Sequence, residues 1–224
     1  RENIKTKIIA ITGSCGKTTL KELLGNSLKQ ISKVGFSPKS YNNKYGVPLS
    51  LFNLDQKNDY GVLEIGMDKK GEINYLSKIV HPDVSVITNI NYAHAKNFKS
   101  LKQIALAKSE IINNTKDNGF IVLNADDSFF ALQKKIANKR NLKILSFSID
   151  NQNSNIKLIS IKKIANKFKA TIRIDNLKTH FFISNDFQNN ILNILAALSV
   201  MSIFLDVSKL NKNIFLGFKI PNGR

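Results

Sequence analysis

The chain has 224 residues, of which 42% are hydrophobic and 22% are charged, a composition typical of a globular protein with one large domain. Its single cysteine excludes an internal disulfide framework. No stretch approaches the roughly 20 apolar residues of a membrane span. We therefore expect a cytoplasmic protein without a membrane span.

The formal net charge of +18 raises the question of a nucleic-acid partner. Nearly all of the positive charge comes from lysine, and the lysines are spread along the whole chain. Recognition of bases and phosphates by paired hydrogen bonds favours arginine. We therefore expect no nucleic-acid partner, although the charge will attract anionic nucleotides at low salt.

Strands and helices alternate along the first two-thirds of the chain. The strands are predicted from short, β-branched apolar runs, as expected for strands buried on both faces of a parallel sheet. They are Lys7–Thr12, Tyr60–Ile65, Val84–Ile90, Phe120–Leu123 and Lys143–Ser148. The helices predicted between them are Thr18–Ile31, Glu72–Val80, Ser100–Ile112 and Ser128–Asn138. This alternation predicts an α/β fold with a doubly wound, mostly parallel sheet, whose ligands bind at the carboxyl ends of the strands.

The pattern changes between residues 155 and 184. Three segments there alternate apolar and polar residues, namely Ile156–Ile164, Lys167–Ile174 and Thr179–Ile183. They predict a small antiparallel β meander packed on the main sheet. A long helix is predicted to follow at Gln188–Phe204.

The first predicted strand leads into a glycine-rich turn and then a helix, and residues 11–19 read ITGSCGKTT. This is the layout of a phosphate-binding loop, in which amides at the helix start face the anion. Lys17 would reach the terminal phosphates and the Thr18 hydroxyl would bind Mg²⁺. The common pattern has a glycine where this chain has Ile11, so an ordinary strand–turn–helix connection with chance glycines is the alternative. Cys15 is interpreted as a small filler of the loop.

Two polar residues follow other predicted strands at the same edge. Glu64 ends the second of them, where a carboxylate is well placed to bind Mg²⁺ directly or through water. The alternative is an ordinary solvent-facing glutamate. His94 comes shortly after the third strand and is also expected near the ligand edge, although a loop histidine is more often a bystander.

Three further features have both a functional and a structural interpretation. Lys108 lies on a helix between apolar residues, where a lysine usually extends its ammonium group to solvent, or else is chemically altered or paired with a phosphate. Asn42 and Asn43 precede a predicted helix at 49–54 and are either turn formers or part of a binding loop. Asn190 and Asn193 share one face of the last long helix, where they would contact a purine or merely cap and solvate the helix.

The segments around these residues follow one another in a characteristic order. They read ITGSCGKTT at 11–19, YNNKYGVP at 41–48, LEIGM at 63–67, GEI at 71–73, ITNI at 87–90 and AKSEI at 107–111. In this order, and over nearly the whole chain, they resemble the Mur ligases, the ATP-dependent ligases that form the amide bonds of the peptidoglycan stem peptide. The family's variant of the phosphate loop accounts for the missing glycine. The likeness is greatest to the ligases that add D-alanyl-D-alanine to UDP-N-acetylmuramoyl-tripeptide.

The resemblance implies a role for each matching residue. Lys17, Lys108 and His94 would be catalytic, Lys108 as a carbamylated lysine near a second Mg²⁺. Thr18, Glu64 and His94 would bind Mg²⁺. Asn42 and Asn43 would lie near the peptide of the UDP-sugar substrate. The nucleotide would be held by Gly13, Ser14, Cys15, Gly16, Lys17, Thr18, Thr19, the adenine-side residues Asn190 and Asn193, and Arg224.

The implied reaction begins when ATP phosphorylates the terminal carboxylate of the tripeptide. The amine of D-Ala-D-Ala then attacks the acyl phosphate, and phosphate leaves from a tetrahedral intermediate. Two segments depart from the family pattern. Residues 187–190 read FQNN in place of Gly-x-His-Asn, and residues 91–96 read NYAHAK in place of Gly-Glu-Ala-His-Leu-Glu.

The family has three domains, and the resemblance implies that residues 1–224 are the central ATP-binding domain, with the meander at about 155–184. The N-terminal UDP-binding domain and the C-terminal domain are expected to be absent. We expect a monomer that binds Mg-ATP but does not complete ligation alone.

Two alternatives remain open. One is another Mur-type, folylpolyglutamate-type or cyanophycin-type ligase, which would lack the 42–48 segment. The other is a basic P-loop module that acts on nucleic acid, with steeply salt-dependent binding.

Overall fold

In the part of the chain that the structure describes, the strands form one nine-stranded sheet in the order β2-β3-β1-β4-β5-β6-β7-β8-β9, with the parallel strands at the β2 end. The computed structural model describes residues 5–92, 97–184 and 190–220. The strands are β1 Lys7–Thr12, β2 Val34–Phe36, β3 Tyr60–Glu64, β4 Val84–Ile87, β5 Phe120–Asn124, β6 Lys143–Ser148, β7 Ile156–Ile164, β8 Lys167–Ile174 and β9 Leu177–Ser184. The helices are α1 Lys17–Lys29, α2 Gly46–Phe52, α3 Glu72–Val80, α4 Leu101–Asn113, α5 Phe130–Lys139 and α6 Ile191–Phe204, followed by a short 3₁₀ helix at Val207–Lys209.

Two hydrophobic clusters cover the two faces of the sheet, and β1 contributes to both. Ile9 and Ile11 pack with the apolar residues of α1 and α6. Ile8 and Ala10 pack on the other side with residues of α2, α3 and α4. This division follows from the alternation of side chains along a strand. Because both faces are covered, β1 reads as a continuous apolar run, which is the signature of a buried parallel strand.

The structure confirms the predicted α/β class and the mostly parallel sheet. The strands from β2 to β7 pair in parallel, and β7, β8 and β9 pair antiparallel. The expectation that the meander packs on the main sheet is wrong. Its strands continue the same sheet instead, because β7 pairs with the end of β6 through Phe147–Ile156 and Ser148–Lys157.

Two predicted boundaries shift for identifiable reasons, and one short strand was not predicted. β4 ends at Ile87. The Thr88 amide still donates to the Thr12 carbonyl of β1, but Asn89 bonds to the amides of Ser14 and Cys15 in the loop after β1. α2 begins at Gly46 and accommodates Pro48 in its first turn, where a proline nitrogen needs no hydrogen-bond partner. β2 was not predicted, since three residues with a central glycine, Gly35, give no periodic signal.

No helix in the described residues is both long and apolar enough to cross a membrane.

Candidate active site

The loop between β1 and α1 lies where the carboxyl ends of β1, β3 and β4 meet. Gly13 adopts φ +142°, and a Cβ there would lie 1.9 Å from Thr88 Oγ1. Gly16 adopts φ +80°, and a Cβ there would lie 2.9 Å from Asn193 Oδ1. Both positions therefore require glycine, for backbone conformation and for space.

The segment after β4 holds this loop in place. The Ser14 amide donates to the Asn89 carbonyl at 2.9 Å, and the Cys15 amide donates to Asn89 Oδ1 at 2.9 Å. Thr88 Oγ1 donates to the Cys15 carbonyl at 2.6 Å. The amides of Ser14 and Cys15 are thus engaged within the protein and do not face an anion in this structure.

The amides at the start of α1 are differently placed. The first backbone hydrogen bond of the helix runs from the Leu20 amide to the Gly16 carbonyl, at 2.8 Å. The amides of Gly16, Thr18 and Thr19 lie ahead of that bond, at the positive end of the helix dipole. This helix start is therefore suited to a negatively charged group.

Lys17 and Lys108 converge on one backbone oxygen. Both Nζ atoms donate to the Gly13 carbonyl at 2.9 Å, and Lys17 also donates to the Ser14 carbonyl at 3.3 Å. Lys108 is 1% exposed. Its burial and the neighbouring Lys17 charge lower the pKa of Lys108 to about 7. Lys108 therefore does not extend to solvent, and much of it is the neutral amine at neutral pH.

Thr18 and Glu64 form a buried oxygen pair beside the loop. Thr18 Oγ1 donates to Glu64 Oε2 at 2.7 Å, and Asn42 Nδ2 donates to Glu64 Oε1 at 2.7 Å. Glu64 is fully buried at the end of β3, so it is not a solvent-facing residue. A hydroxyl and a carboxylate at hydrogen-bond distance are a donor set that fits Mg²⁺, which takes one or two protein oxygens and completes its shell with phosphate and water.

The described residues contain no group of three His, Cys, Asp or Glu side chains that would hold a metal ion by themselves. His94 and Arg224, for which the family resemblance implies contacts with the metal and with the nucleotide, lie outside the described residues.

The two predicted substrate residues differ in their contacts. Asn42 contacts Glu64, and its carbonyl accepts from the Gly66 amide at 2.7 Å. Asn43 Oδ1 accepts from the amides of Tyr45 and Gly46 at 3.1 and 2.9 Å, where α2 begins. Asn43 therefore has the turn-forming role that was its structural alternative, and both asparagines also line a cleft of about 660 Å³ that reaches Lys17.

Asn190 and Asn193 lie together at the start of α6. Asn193 Nδ2 donates to Asn190 Oδ1 at 3.2 Å, and Asn193 packs against Gly16. The structure thus brings both asparagines to the phosphate-loop side of the molecule.

Lys21 is a buried residue of the site that the sequence interpretation missed. Its side chain is fully buried on α1, and Nζ donates to the Ser37 carbonyl at 2.6 Å and to the Lys39 carbonyl. It also pairs with Glu22 at 3.0 Å. The available signal was its position one turn after Lys17, on the same face of the helix.

Asp127 was also missed. Its carboxylate accepts from the Ile90 amide at 2.6 Å and from the Phe129 amide at 2.8 Å. It thereby fixes the segment after β4 that holds the β1–α1 loop. An aspartate just after a strand is a common turn former, so the sequence gave no reason to single it out.

Residues 11–201 match the family profile described as the Mur ligase middle domain. A UDP-N-acetylmuramoyl-tripeptide–D-alanyl-D-alanine ligase of Buchnera aphidicola is 40% identical over 183 residues, which are 81% of this chain and 37% of the relative.

Two solved structures share the fold at similar identity. A UDP-N-acetylmuramoylalanyl-D-glutamyl-2,6-diaminopimelate–D-alanyl-D-alanyl ligase of Acinetobacter baumannii superposes with a TM-score of 0.87 at 28% identity, covering 100% of this chain and 48% of the other. A MurF ligase of Thermotoga maritima in complex with ADP gives a TM-score of 0.81 at 31% identity, covering 93% and 48%. The chain thus spans less than half the length of these relatives.

Proposed function

This chain belongs to the Mur ligase family, and we propose that it is the central, ATP-binding domain of a ligase that joins D-alanyl-D-alanine to UDP-N-acetylmuramoyl-tripeptide. The observation that carries the proposal is the convergence of Lys17, Thr18 and Glu64 at the start of α1, beside a cleft large enough for a substrate. The names of the Buchnera and Acinetobacter relatives support the choice of substrates. The ADP complex of the Thermotoga relative supports ATP as the nucleotide.

ATP would place its phosphates at the start of α1. The amides of Gly16, Thr18 and Thr19 and the Lys17 ammonium would contact them. Asn193 packs against Gly16, so Asn190 and Asn193 are proposed to lie beside the bound nucleotide. Because Lys17 donates to the Gly13 and Ser14 carbonyls in this structure, it would exchange these bonds for bonds to phosphate.

Thr18 and Glu64 would hold Mg²⁺, with His94 as a further proposed ligand. The ion would neutralise charge on the phosphates as it develops during phosphoryl transfer. Asn42 would keep the Glu64 carboxylate oriented, since its amide donates to the oxygen that Thr18 does not occupy.

The proposed reaction has two steps. The terminal carboxylate oxygen of the tripeptide attacks the γ-phosphorus of ATP, the bond to the β-phosphate oxygen breaks, and ADP leaves. The amine nitrogen of D-Ala-D-Ala then attacks the carbonyl carbon of the acyl phosphate, loses a proton, and inorganic phosphate departs. Lys17 and the helix start would stabilise charge in the first step by electrostatic interaction.

Lys108 fits the proposed carbamylated lysine for a physical reason. Carbamylation joins the neutral amine nitrogen to the carbon of CO₂ and releases a proton, so it needs the free base. Burial and Lys17 supply that free base near neutral pH, since the pKa of Lys108 is about 7. The carbamate would replace an unfavourable pair of ammonium groups by an oppositely charged pair with Lys17.

Calorimetric titration of Mg-ATP tests the nucleotide site, with Lys17→Ala as the variant. We expect the variant to bind at least about tenfold more weakly, because it loses charge-assisted hydrogen bonds to phosphate. Lys135→Ala removes the same charge from the exposed surface of α5 and is the matched control. Equal affinities in all three proteins would contradict the assignment of the loop.

The reaction is tested in the full-length protein that carries this chain. The assay measures whether phosphate is released from ATP only when both UDP-N-acetylmuramoyl-tripeptide and D-Ala-D-Ala are present. Nucleotide binding without any such release, while another amino acid or peptide supports turnover, would assign the chain to a sister ligase.

A further inference from the structure

The cleft beside the site opens onto Lys17. It is bounded on one side by the segment before α2 and on the other by the segment that precedes α3. Under the proposed function, the reacting carboxylate must approach the phosphates from a space that reaches Lys17. The cleft is such a space, and its volume of about 660 Å³ lies within the range of small-molecule sites.

The walls of this cleft carry an excess of positive charge. Lys44, Lys69 and Lys70 line it together with Lys17, and the carboxylates in the lining are Asp68 and Glu72. Glu72 is committed to the backbone, since its Oε2 accepts from the amides of Asp68 and Lys69 at 2.6 and 3.0 Å. Glu72 stays anionic, because these hydrogen bonds and the charges of Lys69 and Lys44 lower its pKa. It therefore offsets part of the lysine charge, and the lining keeps an excess because it holds four lysines and two carboxylates.

The backbone that carries the lysines is held in place. Glu110 accepts from the Gly71 amide at 2.9 Å and from the Asn74 amide at 3.1 Å, which fixes the segment containing Lys69 and Lys70. Asn43 fixes the turn on either side of Lys44 through the Tyr45 and Gly46 amides. A charged group presented by fixed backbone loses less entropy on binding than one on a free loop.

The proposed acyl substrate is rich in carboxylates. The peptide named for the Acinetobacter relative contains alanyl, D-glutamyl and 2,6-diaminopimelate residues. Only one of its carboxylates reacts with ATP, and the others need a partner or water.

We propose that Lys44, Lys69 and Lys70 form a subsite that binds the non-reacting carboxylates of a polyanionic peptide substrate held in the cleft beside Lys17. This inference rests on the proposed function for the identity of the reaction. It assigns these lysines to substrate affinity and not to the chemical step.

Steady-state kinetics of the full-length protein tests the subsite, with Lys44→Gln, Lys69→Gln and Lys70→Gln combined. The matched control combines Lys162→Gln, Lys169→Gln and Lys178→Gln on the outer antiparallel strands, which removes the same charge. A third protein has arginine at positions 44, 69 and 70. KM for UDP-N-acetylmuramoyl-tripeptide, KM for ATP and kcat are measured at low and high KCl.

We expect the cleft variant to raise the KM for the tripeptide substrate by about tenfold to a hundredfold, from the loss of three charge pairs. Its kcat and KM for ATP should stay unchanged, and the salt dependence of the substrate KM should flatten. The arginine protein should restore the substrate KM to within about threefold of the original, since arginine also pairs with carboxylates.

An unchanged substrate KM in the cleft variant would overturn the subsite, as would an equal rise in the control variant. If the unmodified protein shows no ATP-dependent ligation, the proposed function fails. Direct titration of the tripeptide substrate then decides the subsite separately, and equal affinities of the unmodified protein and the cleft variant would overturn it.

Discussion

Lys108 donates a hydrogen bond to the Gly13 carbonyl oxygen, which also accepts a hydrogen bond from Lys17. The side chain is buried and shares the Gly13 oxygen with Lys17. The folded protein therefore holds this proton less tightly than the unfolded chain does, because the pKa falls from 10.5 to about 7.

The lowered pKa predicts how stability depends on pH. Between about pH 7 and 10.5 the unfolded chain binds more protons at this lysine, so the free energy of unfolding should rise with pH, by at most about 1.4 kcal/mol per unit. Below pH 6 Lys108 is protonated in both states, so its contribution to the free energy of unfolding should not change with pH. Urea unfolding in CO₂-free buffer at pH 6, 7, 8 and 9 checks this, with Lys108→Met as the reference that lacks the titration. Parallel pH profiles of the two proteins would contradict the prediction.

Gly13 makes the loop sensitive to a single methyl group. A Cβ at this position meets Thr88 Oγ1 at 1.9 Å, and the backbone has φ +142°. Gly71 has φ +90° with nothing within 4 Å of a Cβ. We expect Gly13→Ala to lower the free energy of unfolding by about 2–4 kcal/mol and Gly71→Ala by about 1 kcal/mol. Chemical unfolding measures the free energy of unfolding of both variants. Gly71→Ala reports the backbone strain alone, and Gly13→Ala reports strain together with the clash. Similar losses in the two variants would show that Thr88 moves to relieve the clash.

At the scale of elements, Lys21 links α1 to the segment after β2. Its ammonium binds the carbonyls of Ser37 and Lys39, and this segment leads to Asn42, which binds Glu64. The helix that carries Lys17 is therefore joined directly to the segment that lines the cleft.

Lys21→Met should loosen this link while keeping most of the buried apolar volume. We expect a loss of about 1–3 kcal/mol in the free energy of unfolding, because the buried Ser37 carbonyl and the partly buried Lys39 carbonyl lose their partner. Hydrogen exchange should accelerate over residues 37–45. Lys29→Met, at an exposed site on the same helix, is the control. Unchanged exchange in this segment would show that Lys21 does not hold it.

Elements with a strong local signal were predictable, and those set by distant contacts were not. β1 and α3 match their predicted bounds, because a buried apolar run and an amphipathic helix are visible in a short window. The end of β4 was not predictable, since it depends on side-chain hydrogen bonds from Thr88 and Asn89 to Cys15, more than 70 positions away. The buried Lys21 was missed for the same reason.

At the scale of the molecule, the sequence predicted the class of fold but not how its parts join. Alternating strands and helices indicate a parallel sheet by a local rule. The attachment of the meander depends on the pairing of Phe147 with Ile156 and Ser148 with Lys157, which no local pattern specifies. For the candidate site, the sequence predicted which residues lie near the carboxyl edge of the sheet. It did not predict that Lys17 and Lys108 both bind the Gly13 carbonyl oxygen, because these two lysines lie far apart in the chain.

The junction between β6 and β7 has a mechanical consequence. Among the described residues, β6 and β7 pair at two positions, Phe147 with Ile156 and Ser148 with Lys157, whereas β7 and β8 pair along nearly their whole lengths. The parallel part of the sheet is therefore joined to the antiparallel strands by a short pairing. Helix α6 crosses this junction and contacts β5, β6 and β7. We expect a force that pulls the two ends of the sheet apart to break the short β6–β7 pairing before the longer β7–β8 pairing. The packing of α6 and the hydrogen bonds between Ser146 and Asn155 would oppose this separation.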